Sequence, residues 1–208
     1  MKWDFLNSNT VPRPPARGRA IAIMLSVGVA SGLIASIPSP LPEIRLEDEG
    51  LLLNAEGVPL HAGIIFGLAV ASMMWLWVPR DIAKCLLAFA VVLLGWLAAV
   101  NTANDVFQAV VGSELFGTVQ GAKSRREVIG LLTGGLSGAA VGAGLTAFGS
   151  GIPSERIRQP ENWIRIVIVG MLVGVLLYPA TELNALVLLF VPCQALVAAA
   201  IAVGLTRA

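Results

Sequence analysis

The sequence predicts an all-α integral membrane protein with six transmembrane helices. Of its 208 residues, 56% are hydrophobic and only 13% are charged, and the mean hydropathy is +0.81, which is typical of membrane proteins. Six apolar runs carry charge only near their ends, and each is about as long as the roughly 17 to 25 residues that a spanning helix needs. The polar/apolar alternation of a membrane β-barrel does not fit stretches such as CLLAFAVVLLGWLAAV, which are apolar on every face. The runs are residues 20–38, 62–79, 82–100, 128–149, 164–180 and 184–205.

The segments around these runs divide the chain into four parts. Residues 1–19 form a polar cytoplasmic tail, whose arginines we expect to contact anionic lipid rather than nucleic acid. Residues 20–100 form a first three-helix half with an external loop at 39–61, where prolines and glycines between short apolar runs favour a small hairpin or an ordered loop. Residues 128–208 form the second three-helix half. Residues 101–127 form an external connection with a short interfacial helix, whose apolar face holds Val106, Phe107, Val110, Val111, Leu115 and Phe116.

The basic residues predict that both termini are cytoplasmic. An even number of spans puts both termini on one side, and the segments on that side hold ten of the 14 lysines and arginines. We therefore expect a multi-pass protein of a bacterial cytoplasmic (inner) membrane, in contact with membrane lipids, with Trp96 and Tyr178 toward the outer interface. An alternative is that the first run is a cleaved signal peptide, since Arg17 and Arg19 precede it and small residues end it.

Glycines spaced by four residues predict close helix packing. In lipid, helices associate through small residues that let two backbones approach. The fourth run has such a groove at Gly130, Gly134, Gly138 and Gly142. Packing inside one bundle, a seam between two copies of the chain, and a gating or pore-lining role are all compatible with it. Shorter versions occur at Gly28, Gly32 and Ser36, at Gly63, Gly67 and Ala71, and at Gly170 and Gly174.

The two halves resemble each other weakly. Each has a glycine-rich run, a polar connection and then two closely spaced runs, and Ile-Pro-Ser recurs at 37–39 and 152–154. Three spans per repeat would give two inverted three-helix repeats, an arrangement that places the binding site of many transporters near the midplane. The alternative is a shared composition, because Gly, Ala, Leu and Val dominate membrane helices generally.

Few residues could carry catalysis, so an enzyme is the least favoured class. The only histidine, His61, lies at the start of the second run, and no charged residue is placed deep in any run. Cys85 and Cys193 form no CxxC pair, and their unequal depth argues against a disulfide. We predict no catalytic residue, no metal site and no cofactor.

The sixth run contains the strongest candidate for a site. Pro192 removes one helical hydrogen bond beside Cys193 and Gln194, and Gln194 is a carboxamide at mid-bilayer depth that needs either an interhelical partner or a polar cavity. We expect this kink to face the glycine groove of the fourth run, so the candidate solute or helix-packing site comprises Gly134, Gly138, Gly142, Pro192, Cys193 and Gln194.

The predicted function is a small transporter or channel-like protein for a neutral or weakly polar solute, because no charge is available at depth to couple protons or ions. The alternative is a non-catalytic accessory or assembly subunit of a larger membrane complex, whose glycine grooves receive partner helices. A homo-oligomer and partner membrane subunits both remain open.

Overall fold

The computed structural model describes residues 14–38, 44–46, 51–54, 59–78, 81–113 and 125–206. Its described segments are almost entirely helical, with one short pair of strands. The elements in chain order are α1 (Arg17–Ala35), β1 (Ile44–Leu46), β2 (Leu51–Asn54), α2 (Leu60–Trp77), α3 (Ile82–Gly112), α4 (Arg125–Gly151), α5 (Pro160–Gly174), α6 (Leu177–Glu182) and α7 (Val187–Thr206). The expectations for residues 1–13 of the tail and 114–124 of the connection lie outside the described residues.

Among the described residues, six helical segments are long and apolar enough to cross a membrane, which indicates a multi-pass membrane protein. They are α1, α2, α3, α4, the pair α5 and α6 taken together, and α7. Large apolar side chains point outward along them, among them Leu86, Leu94 and Leu172, each more than half exposed. Such outward apolar surface is suited to lipid and unsuited to water.

Local sequence explains where several helices start and stop. The Asp81 carboxylate caps α3 by accepting a hydrogen bond from the Lys84 backbone N–H at 3.1 Å, and this bond holds the pKa of Asp81 below its usual range. Pro160 opens α5, where its missing N–H is not needed. Asn184 follows α6 with a φ of 47°, a left-handed conformation that asparagine tolerates and that ends the helix.

The external loop predicted at 39–61 contains a hairpin in its described parts. β1 and β2 pair antiparallel, with Arg45 opposite Leu52 and Leu46 opposite Leu51. The hairpin is attached to α3 through Asn101. The Asn101 Oδ1 accepts a hydrogen bond from the Leu52 N–H at 2.8 Å, and the Asn101 Nδ2 donates one to the Leu52 carbonyl at 3.0 Å. The side chain thus forms the same pair of hydrogen bonds with Leu52 that a residue of an adjacent antiparallel strand would form.

The spanning helices pack in chain order and close on themselves. Each packs on the next, from α1 to α5, α5 then packs on α7, and α7 returns to α1. A core of buried side chains fills the bundle toward the end where α1 begins, which we call the basic end. This core includes Met24, Phe66, Met74, Ile166 and Ile201. α7 is the most buried of the helices that could cross a membrane.

The main difference from the expected elements lies after the third run. The sequence predicts a separate interfacial helix in 101–127, but α3 continues without a break from Ile82 to Gly112. No glycine or proline interrupts the helix between Asn101 and Val111, so the change to polar residues at Asn101 does not end it. Phe107 consequently packs within the bundle, where a Cβ added at Gly130 would meet its ring at 2.9 Å.

Candidate functional site

The glycine groove of α4 is filled by α3. A Cβ built on Gly134 would lie 2.6 Å from the Ala103 carbonyl oxygen, and one built on Gly138 would lie 2.5 Å from the Ala99 carbonyl oxygen. Only glycine allows this approach, because such distances are far shorter than a normal contact of about 3.5 to 4.0 Å. The neighbouring helix α3 therefore fills most of the groove that the proline kink was expected to face, and Cys193 and Gln194 share walls with Gly138 and Gly142 in the cavities described below.

The kinked helix α7 instead packs on the glycines of α1. A Cβ on Gly28 would lie 2.5 Å from the Ala195 Cα, and one on Gly32 would lie 2.6 Å from the Val191 Cα. The helix is continuous through Pro192. Tight packing against α1 thus accounts for this face of α7, and Pro192 itself lines neither of the two cavities described next.

A cavity of about 280 Å³, the central cavity, lies between α3, α4, α7 and the break from α5 to α6. Its wall is mostly apolar and includes Gly138 of α4 and Cys193 of α7. Trp96 and Phe190 form one side, with their ring centroids 5.5 Å apart. Leu52 of β2 also lines it and is only 5% exposed, so the hairpin covers this cavity.

A second cavity of about 80 Å³, the inner cavity, adjoins the first. Both cavities share the lining residues Trp96, Ala99, Ala139 and Cys193. Gly142 and Gln194 line the inner cavity, and Thr146, which is 5% exposed, adds a hydroxyl to its wall. The two adjoining cavities thus extend from Leu52 of the hairpin to Gln194, with shared walls between them.

Two buried polar side chains that line these cavities have no hydrogen-bond partner within the part of the chain that the structure describes. Gln194 is 1% exposed, and neither its Oε1 nor its Nε2 has a hydrogen-bond partner among the described residues. The same holds for the buried indole Nε1 of Trp96. An unpartnered buried amide costs roughly 1 to 3 kcal/mol in protein mutational data, so these groups require a partner from within the cavity. The sequence allows either an interhelical hydrogen-bond partner or a cavity beside Gln194. The structure has a cavity there, and no partner among the described residues.

Both groups lie well inside the bundle. At about 1.5 Å per residue, Trp96 lies roughly 21 Å along α3 from the basic end, and Gln194 lies roughly 18 Å along α7 from the same end. Those depths fall within a hydrocarbon layer of about 30 Å. The two cavities therefore reach deep inside the membrane-spanning part of the bundle.

The predicted site residues separate into two groups. The structure brings Gly138, Gly142, Cys193 and Gln194 to the two adjoining cavities, whereas Gly134 packs against α3 and Pro192 lies within α7 and lines neither cavity. Trp96 is a further lining residue that the sequence did not include in the site, because its residue type placed it with the aromatics toward the outer interface. A sequence signal for its packing is Gly63, where an added Cβ would meet the Trp96 side chain at 2.5 Å.

The remaining chemistry-bearing residues do not assemble within the described residues. His61 lies at the second position of α2, and both cysteines are free. Among the described segments, no three His, Cys, Asp or Glu side chains are close enough to share a metal ion.

Comparison with protein-family models, with curated proteins and with solved structures gives no match to this chain.

Proposed function

We propose that the protein is a small transporter or channel-like protein for a neutral, weakly polar solute, which binds between the two halves of the bundle. The observation that carries the proposal is the Gln194 carboxamide, which is buried at mid-depth, has no hydrogen-bond partner among the described residues and lines the inner cavity. A carboxamide offers one acceptor and two donors. It can therefore hold a solute by hydrogen bonds that the bundle itself leaves unmade.

The lining favours an uncharged solute. No described residue that lines either cavity is Asp, Glu, Lys, Arg or His, so a charged solute would meet no counter-charge from these residues and would lose its hydration. The central cavity, at about 280 Å³, lies near the lower limit of the roughly 300 to 1,000 Å³ that is usual for small-molecule sites. A small molecule with an apolar body and one hydrogen-bonding end matches both features.

The helix pairings support two inverted repeats. In each half, a glycine-bearing first helix packs on the last helix of the other half: α1 packs on α7, and α4 packs on α3. A two-fold exchange of the two halves would therefore superimpose the α1–α7 contact on the α4–α3 contact. In transporters with inverted repeats, the solute lies where the halves meet, and the cavities here lie between α3, α4 and α7.

The charge distribution supports a cytoplasmic basic end in a bacterial inner membrane. In the described segments, the basic end carries six basic and three acidic residues, whereas the opposite end carries three of each. The accessory-subunit alternative has less support, because the glycine grooves on which it depends are occupied by helices of the same chain.

Solute flux into proteoliposomes tests the proposal. Stopped-flow light scattering would follow re-swelling after a hyperosmotic step with acetamide, urea or glycerol as neutral probes, and with glycine as a zwitterionic probe. We expect the protein to accelerate entry of a neutral probe but not of glycine. Gln194→Leu should abolish the acceleration, because leucine suits a membrane helix but offers the solute no hydrogen bond.

The matched control is Thr133→Val, which removes a polar group from α4 outside both cavities. The Thr133 hydroxyl donates to the Ile129 carbonyl at 2.7 Å within its own helix. Thr133→Val should retain the flux of the unmodified protein. Equal flux in Gln194→Leu and Thr133→Val would remove Gln194 from the site, and a bundle that accelerates no neutral probe would contradict the transport proposal.

A further inference from the structure

A separate pocket of about 660 Å³ lies at the basic end of the bundle. We call it the end pocket. Four parts of the chain surround it besides the residues just before α1: the end of α2, the first turn of α3, the connection from α4 to α5, and the end of α7. It is far from the cavities that hold Gln194, and no residue lines both.

The end pocket is lined by four cations and one acid. The cations are Arg17, Lys84, Arg156 and Arg158, and the acid is Glu155. The Glu155 side chain is 94% exposed and lies 3.8 Å from Arg158, so this solvent-exposed ion pair offsets the positive charge only weakly. The pocket is therefore electropositive, and an anion is the ligand that it suits.

Two of the four cations have carboxylate partners and two do not. Lys84 lies 3.4 Å from Asp81, and Arg158 lies 3.8 Å from Glu155. Within the described residues, no carboxylate forms an ion pair with Arg17 or Arg156. Among the described lining residues, two positive charges are therefore without a carboxylate partner, and a ligand with two negative charges matches them.

One of these two arginines is held in place. Arg156 Nη1 donates to the Leu205 carbonyl at 2.9 Å and so fixes its guanidinium at the end of α7. A guanidinium has five N–H donors in a planar fork, so donors remain for an oxyanion. Arginine forks match the oxygens of a phosphate group, with which they form paired hydrogen bonds.

The depth of the pocket indicates the source of the phosphate. Because α2 ends at Trp77, after about 27 Å of helix at 1.5 Å per residue, the pocket lies at the level of the membrane surface. Trp77, Val78, Ile152 and Leu205 add apolar wall beside the cations. Tryptophan is enriched at this level, and basic pockets between helix ends bind anionic headgroups.

We infer that the end pocket binds the headgroup of an anionic phospholipid that carries two phosphate charges, with Arg17 and Arg156 as its ligands. The apolar wall accommodates the first carbons of the acyl chains, which a free phosphate does not have. This inference is independent of the proposed transport function, because the two sites share no residue.

Lipid binding to the purified, delipidated protein tests the inference. The probes are cardiolipin, which has two phosphodiesters, phosphatidylglycerol, which has one, phosphatidylcholine, which has no net charge, and inorganic phosphate. Binding is followed by native mass spectrometry and by thermal stabilisation in detergent. We expect cardiolipin to bind best, and Arg17→Gln to weaken it roughly fivefold, as the loss of about 1 kcal/mol per basic residue near an anionic surface implies.

The matched control is Arg19→Gln, an identical charge change on α1 at a residue that does not line the pocket. Arg17 is the primary test residue, since replacing Arg156 also removes its bond to Leu205 and could disturb folding. Equal cardiolipin affinity in Arg17→Gln and Arg19→Gln would overturn the inference. Stabilisation by inorganic phosphate equal to that by cardiolipin would overturn the lipid assignment.

Discussion

Replacing Gly138 by alanine should destabilise the bundle, whereas the same change at Gly144, on the same helix, should not. A Cβ at Gly138 would lie 2.5 Å from the Ala99 carbonyl oxygen and 2.8 Å from the Ala103 Cβ. Contacts of about 3.5 to 4.0 Å are normal between carbon atoms, so α3 and α4 would have to separate by roughly 1 Å. A Cβ at Gly144 would lie 3.6 Å from the Trp163 ring and 3.9 Å from the Val167 side chain, which are ordinary contacts.

The pair isolates the packing energy. Both changes gain about 1 kcal/mol of helix propensity, and this gain cancels in the comparison. Overpacking costs typically about 1 to 3 kcal/mol, which is therefore the expected difference between the variants. At roughly 2 to 4 °C per kcal/mol for a chain of this size, the midpoints of thermal unfolding in mild detergent should differ by roughly 2 to 12 °C. Equal midpoints, or a higher midpoint for Gly138→Ala, would refute the close α3–α4 contact.

Three further outcomes follow from the structure. Gln194→Leu should leave the midpoint of thermal unfolding unchanged or raise it, because the Gln194 amide has no partner among the described residues. Asn162→Leu should lower the midpoint, because the Asn162 Nδ2 donates to the Arg156 carbonyl at 2.8 Å. An equal decrease of the midpoint in both variants would contradict this prediction. Asn101→Leu should accelerate backbone hydrogen exchange at Leu52 by removing both hydrogen bonds to the hairpin, and unchanged exchange would show that other contacts hold it. A single cysteine at Gln159 in a chain without native cysteines should resist membrane-impermeant labels on intact cells, and rapid labelling would reverse the proposed topology.

The sequence predicts the number of apolar helices and most of their bounds. The thickness of the hydrocarbon layer fixes the minimum length of a spanning helix, and runs of apolar residues of that length are visible in the sequence. It does not predict where α3 ends. The polar residues from Asn101 to Asp105 indicate the edge of the membrane, but a helix ends at a cap or a breaker, and Gly112 is the first one available. The apolar stretch and the helix therefore end at different residues of α3.

The candidate site is only partly predictable for a similar reason. Gln194 is identified from sequence because an amide at that depth requires a partner. The glycine spacing indicates that another helix approaches Gly138 closely. It does not indicate which helix, because small residues permit a short interhelical distance to any partner helix. Trp96 was assigned to the interface by its residue type, although its position opposite Gly63 follows from packing between α2 and α3.

The unequal lengths of the helices bear on how a solute would reach the cavities. α3 has 31 residues and α4 has 27, so they measure about 46 Å and 40 Å at 1.5 Å per residue, against about 30 Å of hydrocarbon. In α3 the residues become polar from Asn101 onward, so we expect its excess length to lie beyond the hydrocarbon at the end opposite the basic end. Asn104 and Phe107, which line the central cavity, lie on that excess length. Under the proposed transport function, a solute would enter the central cavity from the aqueous phase, past Asn104, Phe107 and the covering hairpin residue Leu52, rather than sideways through the bilayer.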